Sequence, residues 1–221
     1  QKSIGILLEN LLKDIFFNIY LCTKKGMWLK MANSKIIVVE GPQGVGKTTI
    51  TDYIRHAIPY TNLYRLSGTA DTSPEGREKA KIMYEDLLEY VEKLQNKSIN
   101  LLFDRTFFTE EVFCRLGFKE YSFTDIFEKL LEKLAKMDFD IYYITLYLSK
   151  SEEFTKRLNR EGKTKVKYTN FNKDSSMNQQ EAYLKLADEI KEKYANIHVV
   201  NIDNSRNLDE VKAELKELLK W

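Results

Sequence analysis

The sequence contains few of the residues that build disulfide frameworks, metal clusters or disordered linkers. Its 221 residues include two cysteines, two histidines, three prolines and nine glycines. Cys22 and Cys114 give neither a disulfide framework nor a metal-ligand spacing, which indicates free thiols in a reducing, cytoplasmic environment. The low proline and glycine content argues against long linkers. The formal net charge is only +2, so composition gives no indication of a nucleic-acid partner.

The first thirty residues carry an amphipathic helical pattern. Charged and polar residues interrupt it, which disfavours a membrane span, and no basic segment precedes it, which disfavours a signal peptide. We expect an extension over residues 1–30, outside a functional domain over 31–221. We expect no membrane partner and leave a homodimer open, since such a helix can bind a second copy of the chain. The apolar positions recur at helical spacing: Ile4, Leu7, Leu8, Leu11, Leu12, Ile15, Phe16 and Ile19.

A glycine-rich loop lies between an apolar run and a helical pattern. The run "IIVV" has no polar alternation, which predicts a strand buried on both faces. The segment "GPQGVGKT" then has the spacing of a phosphate-binding loop, the P-loop or Walker A motif. Lys47 is expected to reach the β- and γ-phosphates, and the Thr48 hydroxyl to bind Mg²⁺. The predicted nucleotide-binding residues are Gly41, Pro42, Gln43, Gly44, Val45, Gly46, Lys47, Thr48 and Thr49.

Strand and helix patterns alternate along the remaining chain. This order predicts a three-layer α/β fold, in which a five-stranded parallel sheet carries helices on both faces. Ligands of such sheets bind beyond the carboxyl ends of the strands. The expected strands are 36–40, 63–66, 99–104, 141–148 and the segment "IHVVNID", and helices are expected between them, including 125–137 and one from "QQEAYLKL" onward.

Charged residues follow the second and third expected strands. Asp104 and Arg105 come directly after "NLLF". Asp104 would hold Mg²⁺ beside Thr48, and the alternative is a capping aspartate next to a solvated arginine. Arg65 ends the second strand, where it would face an anion.

Two arginines near the end of the fourth strand suggest a lid. Arg157 and Arg160 lie three residues apart, on one face of a predicted helix. Cations that close over phosphates neutralise the charge on a transferred phosphoryl group. We therefore expect a lid over about 152–178, and a solvated basic loop is the alternative.

Together these segments resemble the thymidylate kinase and deoxynucleoside kinase superfamily, closest to the thymidylate kinase-like nucleotide kinases. The resemblance spans about residues 35–215. "VVEGPQGVGKTT" is similar to the family's first strand and loop, including Glu40, and "RLSGT" is similar to its Arg-x-Pro-Gly-Gly-Thr loop. "FDRTFFTEEVF" resembles its Asp-Arg-Tyr segment, and "RLNR" resembles the lid arginines. "VVNIDNSRNLDEV" looks like the loop that packs on the adenine of the donor.

The resemblance implies roles for several residues. Arg65 and Arg105 would hold the phosphate of the acceptor, and Asp104 would serve the metal. Three more residues would shape the acceptor pocket: Thr109, Glu110 and Phe113.

The base-reading positions depart from the family pattern. Gln43 stands at a loop position that is usually charged, and Thr106 replaces the usual tyrosine. Tyr84 falls where an arginine would pair with thymine. Tyr84 and Phe107 could stack on a base or belong to the core.

The residues and the resemblance lead to one functional expectation. The chain is expected to use ATP and Mg²⁺ to phosphorylate a nucleoside monophosphate, with thymidylate as the expected acceptor. A deoxynucleoside or other small-molecule kinase is the alternative with the same chemistry, and a nucleotide-binding regulatory switch is the alternative from another class. The expected catalytic residues are Lys47, Arg105, Arg157 and Arg160.

Overall fold

The computed structural model describes residues 34–66, 68–159 and 172–221. The predicted extension over 1–30 and the predicted lid residue Arg160 lie outside these ranges. The described part contains five strands, each close to its predicted position. The three inner strands are largely apolar runs, which fit a sheet covered on both faces, whereas the edge strands β2 and β5 include exposed polar residues. The strands are β1 (Lys35–Glu40), β2 (Thr61–Arg65), β3 (Asn100–Asp104), β4 (Asp140–Tyr147) and β5 (Ile197–Asp203).

All five strands are parallel, in the order β2-β3-β1-β4-β5. β1 is therefore central, with β3 on one side and β4 on the other. The chain leaves β1 toward β2 and β3, then crosses to β4 and β5, so the strand order changes direction beside β1. Ligands bind parallel sheets at such a switch point, beyond the carboxyl ends of the strands. In the register of this edge, Val39 lies opposite Asp104 and Glu40 lies opposite Thr145.

Helices follow the strands, as the alternating pattern predicted. Asn172 and Asn207 cap two of them, since their side chains accept the N–H groups of Ser175 and Asp209. The first of these capped helices begins at Lys173, which is earlier than predicted and inside the segment expected to form the lid. The helices are α1 (Lys47–Ala57), α2 (Gly76–Lys93), α3 (Phe107–Arg115), α4 (Thr124–Ala135), α5 (Glu152–Leu158), α6 (Lys173–Lys193) and α7 (Leu208–Leu219).

Alternate residues of each strand pack into two cores on opposite faces of the sheet. In β1, Ile36 and Val38 face a core that α2, α3, α4 and α6 cover. Ile37 and Val39 face a second core, which α1, α5 and α7 cover. The predicted three-layer α/β fold is therefore confirmed. In the described ranges, no helix has both the length and the hydrophobicity that crossing a membrane requires.

Candidate active site

The glycine-rich loop connects the carboxyl end of β1 to the first turn of α1. Its backbone uses conformations that favour glycine, with φ angles of 139° at Gly41 and 99° at Gly46. A Cβ atom on Gly41 would lie 2.5 Å from the Leu146 carbonyl oxygen. The loop thus turns tightly against β4 and places the amino end of α1 at the rim of the sheet, where a helix presents backbone N–H groups to an anion. The nine predicted nucleotide-binding residues, 41–49, lie consecutively in this loop and turn.

Lys47 lies inside the curve of the loop. Its side-chain Nζ donates hydrogen bonds to the carbonyl oxygens of Gly41 at 2.7 Å and Pro42 at 2.9 Å. The residue is only 7% exposed, so the loop itself fixes the ammonium group. An anion in this loop would meet backbone N–H groups and the Lys47 charge together.

Thr48 and Asp104 bring two oxygen ligands together beside the loop. Thr48 Oγ1 donates to Asp104 Oδ2 at 3.4 Å, and Asp104 is largely buried. Hydroxyl and carboxylate oxygens suit Mg²⁺, which usually keeps several waters and binds phosphate oxygens as well. The described ranges contain no group of three or more His, Cys, Asp or Glu side chains that could hold a metal ion. A divalent cation here would therefore depend on a bound phosphate to complete its coordination.

Two arginines lie at this rim, Arg65 at the end of β2 and Arg105 directly after β3. Arg65 Nε lies 3.7 Å from Asp104 Oδ2, and its Nη2 contacts Asp52 Oδ1 at 2.5 Å. Arg105 has a φ of 73°, which is strained for a residue with a side chain. Its guanidinium lies 6.0 Å from the centre of the Phe113 ring. Among the described residues, the Arg105 side chain makes no hydrogen bond or salt bridge.

Glu40, at the end of β1, is fully buried beneath this rim. Its Oε1 accepts the Thr106 N–H at 2.8 Å, and its Oε2 accepts the Thr109 hydroxyl at 2.6 Å. The Tyr183 hydroxyl continues the network at 2.9 Å from Thr109 Oγ1. Burial raises the pKa of Glu40 from 4.5 to about 7, although the hydrogen bond from Thr109 and the charge of Arg105 act in the opposite direction.

Four other residues predicted for the acceptor pocket are buried below the rim, and Phe113, beside the Arg105 guanidinium, is half-buried. Tyr84 and Phe107 belong to the first core, where Phe107 stacks on Phe108 with ring centres 4.4 Å apart. Tyr84 donates its hydroxyl to the Thr106 carbonyl oxygen at 3.3 Å. The Thr109 hydroxyl donates to Glu40, and both carboxylate oxygens of Glu110 accept hydrogen bonds from within the protein. These side chains support the rim, and none is exposed on it.

Arg157, on α5, contacts the glycine-rich loop directly. Its Nη1 donates to the Val45 carbonyl oxygen at 2.9 Å, and its Nη2 donates to the Asn204 carbonyl oxygen at 2.6 Å. Asn204, just after β5, donates its own Nδ2 to the Val45 oxygen at 2.6 Å. The structure thus brings together Arg157, the loop and the segment after β5 that was expected near adenine. The Asn204 contact was not predicted, because no local pattern links residues so distant in sequence.

Two further residues were missed. Gln179, a buried residue of α6, accepts the Gln43 N–H through Oε1 at 3.3 Å. Lys119, in the connection between α3 and α4, is 8% exposed and forms a salt bridge of 3.2 Å with Glu110. The only sequence signal for Lys119 is its position among the aromatic residues of "GFKEYSF", which is too common to identify a buried charge.

The structure is that of an α/β protein with a glycine-rich loop after its central strand, and solved structures are similar to it over most of the chain. A thymidylate kinase from Candida albicans matches with a TM-score of 0.61 and 17% identity, over 86% of this chain and 93% of that one. Deoxyadenosine kinase from M. mycoides with bound dATP matches with a TM-score of 0.56 and 13% identity, over 85% and 100%. The fold is therefore that of the P-loop nucleotide kinases. No protein-family model and no curated protein sequence matches the chain.

Proposed function

We propose that the protein transfers the γ-phosphoryl group of ATP to a nucleoside monophosphate, with thymidylate as the acceptor. The observation that carries the proposal is the grouping of a hydroxyl and a guanidinium around the Asp104 carboxylate. Thr48, from the phosphate loop, and Arg65, from the neighbouring strand, both lie within 4 Å of Asp104 Oδ2, at 3.4 and 3.7 Å. If the loop binds the donor and Arg65 the acceptor, both would meet at one carboxylate, which supports a transfer between two substrates.

The proposed roles follow from the position of each group. The loop N–H groups and Lys47 would bind the β- and γ-phosphates, and Thr48 and Asp104 would hold Mg²⁺, which supplies positive charge to the phosphate oxygens. Arg105 would orient the phosphate of the acceptor. Arg157, which already contacts the loop at Val45, would offset charge on the moving group, and we propose the same for Arg160.

The state of Glu40 favours a monophosphate as the acceptor. A nucleoside hydroxyl needs a carboxylate to take its proton, whereas the oxygen of a monophosphate is already ionised. Glu40 is the carboxylate nearest to the start of the loop, but it is fully buried and both of its oxygens accept hydrogen bonds. It is therefore unsuited to act as a general base on a substrate.

A deoxynucleoside kinase is the second candidate, since deoxyadenosine kinase has nearly as similar a fold. ADP formation from MgATP should be measured for the full chain with dTMP, dUMP, dGMP, thymidine or deoxyadenosine, and without acceptor. Stimulation by dTMP, lost in Lys47→Ala, is expected. Phosphorylation of nucleosides alone would replace the first candidate by the second, and turnover that no acceptor stimulates would indicate a nucleotide-binding switch.

The proposal also includes a cytoplasmic enzyme whose partners are small nucleotides. Cys114 is a free thiol, and burial raises its pKa to about 12, so it is an unreactive residue suited to a reducing compartment. Light scattering of the purified chain would decide between a monomer and a homodimer.

A further inference from the structure

A buried ion pair forms hydrogen bonds with the backbone of the loop that follows β2. Lys119 and Glu110 approach to 3.2 Å, and their side chains are only 4% and 1% exposed. They belong to different elements, since Glu110 lies in α3 and Lys119 in the connection to α4. A pair removed this far from water needs further hydrogen bonds to offset the loss of hydration. Most of these bonds go to the backbone of one loop, at Thr69 and Asp71.

The ion pair holds the Thr69 N–H and the Thr69 carbonyl, which belong to two successive peptide units. Lys119 Nζ donates to the Thr69 carbonyl oxygen at 2.6 Å and to the Asp71 carbonyl oxygen at 3.3 Å. Glu110 Oε2 accepts the Thr69 N–H at 3.2 Å, and its Oε1 accepts the Tyr121 hydroxyl. Every charged atom of the pair is thus satisfied inside the protein.

Neighbouring contacts extend this attachment. A Cβ on Gly68 would lie 2.7 Å from Glu110 Oε2, so the carboxylate packs directly against the loop backbone. Glu120 donates its N–H to the Thr72 carbonyl oxygen at 2.8 Å, next to the Lys119 contacts. The connection between α3 and α4 therefore packs alongside the loop from Gly68 to Thr72.

We infer that Lys119 and Glu110 are positioning residues, which hold the 68–72 loop against α3 and thereby set the geometry of the acceptor site. The same loop begins just after Arg65, and α3 begins just after Arg105. The β2–β3 ladder, which pairs Arg65 with Asp104, already sets the spacing of the two strand ends. The ion pair acts beyond this ladder, where it orients the segment that follows Arg65 relative to the helix that follows Arg105. This inference rests on the proposed function for its kinetic part only, because the attachment of the loop can be measured without any substrate.

The test compares Lys119→Met with the wild type and with Lys136→Met. Lys136 is a matched control, because its salt bridge with Glu132 is 2.6 Å long but 73% exposed on the lysine side. Hydrogen exchange of the unliganded full chain is measured for peptides covering residues 68–72. Lys119→Met should speed exchange there by about tenfold or more, since the loss of the ammonium group frees the peptide unit that it holds. Lys136→Met should leave exchange in this loop unchanged.

Steady-state kinetics with dTMP and MgATP supply the second measurement. We expect KM for dTMP to rise by about tenfold in Lys119→Met, with kcat and KM for ATP within about threefold of the wild type. Glu110→Gln retains volume and should show the same separation if Lys119→Met fails to fold. Unchanged exchange in the loop would overturn the inference. A fall in kcat together with equal rises in KM for dTMP and for ATP would also overturn it. If the wild type phosphorylates no monophosphate, the proposed function fails while the exchange experiment still decides the attachment.

Discussion

Replacing Glu40 with glutamine removes a buried ionisable group and keeps its shape. Burial raises the pKa of Glu40 from 4.5 to about 7. Between these two values the folded protein retains a proton that the unfolded chain has released. The unfolded state then binds fewer protons, so the free energy of unfolding falls as the pH rises through this range. The stability from this group is complete below pH 4.5 and is lost above pH 7.

The difference between 4.5 and about 7 corresponds to about 3 kcal/mol. Glutamine does not titrate, and its carbonyl can still accept the Thr106 N–H. Its amide would donate to Thr109, whose hydroxyl can turn toward Tyr183. From pH 4.5 to pH 8, the free energy of unfolding of Glu40→Gln should therefore rise relative to the wild type, by about 3 kcal/mol.

Urea unfolding followed by circular dichroism at four pH values between 4.5 and 8 would measure this difference. Glu132→Gln is the control, since Glu132 is exposed and its hydrogen bond from Lys136 lowers its pKa. A lowered pKa has the opposite effect on stability. The free energy of unfolding of Glu132→Gln should therefore fall slightly relative to the wild type as the pH rises. A Glu40→Gln difference that stays constant with pH, or that shrinks, would refute the assignment of Glu40 as a carboxyl held neutral by burial.

The remaining predictions concern charged groups at and away from the site. Lys47→Ala should reduce kinase turnover by about 100-fold or more and lower the melting temperature only slightly, measured by ADP formation and thermal scanning. Arg105→Gly and Arg105→Ala should both lose turnover, but urea unfolding should find the glycine variant more stable by about 1 kcal/mol, because glycine accepts the positive φ. Arg115→Met leaves the buried Glu111 without its salt bridge and should lower the free energy of unfolding by about 3 kcal/mol, with kcat unchanged. The exposed Lys136→Met should lower the free energy of unfolding by less than about 1 kcal/mol. Loss of activity without loss of stability in Arg115→Met would contradict this separation.

Most of the fold could be predicted from the sequence, because its signals are local. An uninterrupted apolar run such as "IIVV" fits only a strand covered on both faces, and the alternation with helices then requires parallel crossovers. The start of α6 was predicted too late. Its first turns are polar, and the helix depends on the Asn172 cap and on packing of Ser176 and Gln179, which carry no helical periodicity.

For the candidate site as well, local signals could be predicted from the sequence and long-range contacts could not. The glycine spacing and the charges at strand ends predicted the loop, Lys47, Asp104 and Arg105 as site residues, because each lies at or just after the end of a strand. The roles of buried polar residues could not be predicted, since they depend on contacts between distant segments. Glu110 was expected to meet a substrate, but Lys119, Tyr121 and Thr69 occupy its carboxylate.

Helix α3 connects the two halves of the proposed reaction. Its amino end is fixed to the strand before the phosphate loop, through the bonds of Glu40 to Thr106 and Thr109. The next residue, Glu110, accepts the Thr69 N–H and so attaches the same first turn to the loop that follows β2. The proposed in-line transfer requires donor and acceptor to be held at a set distance, and one helix attached to both proposed sites would provide this. The strained φ of Arg105 lies directly before the helix, so the two buried carboxylates stabilise the backbone on which that guanidinium is presented.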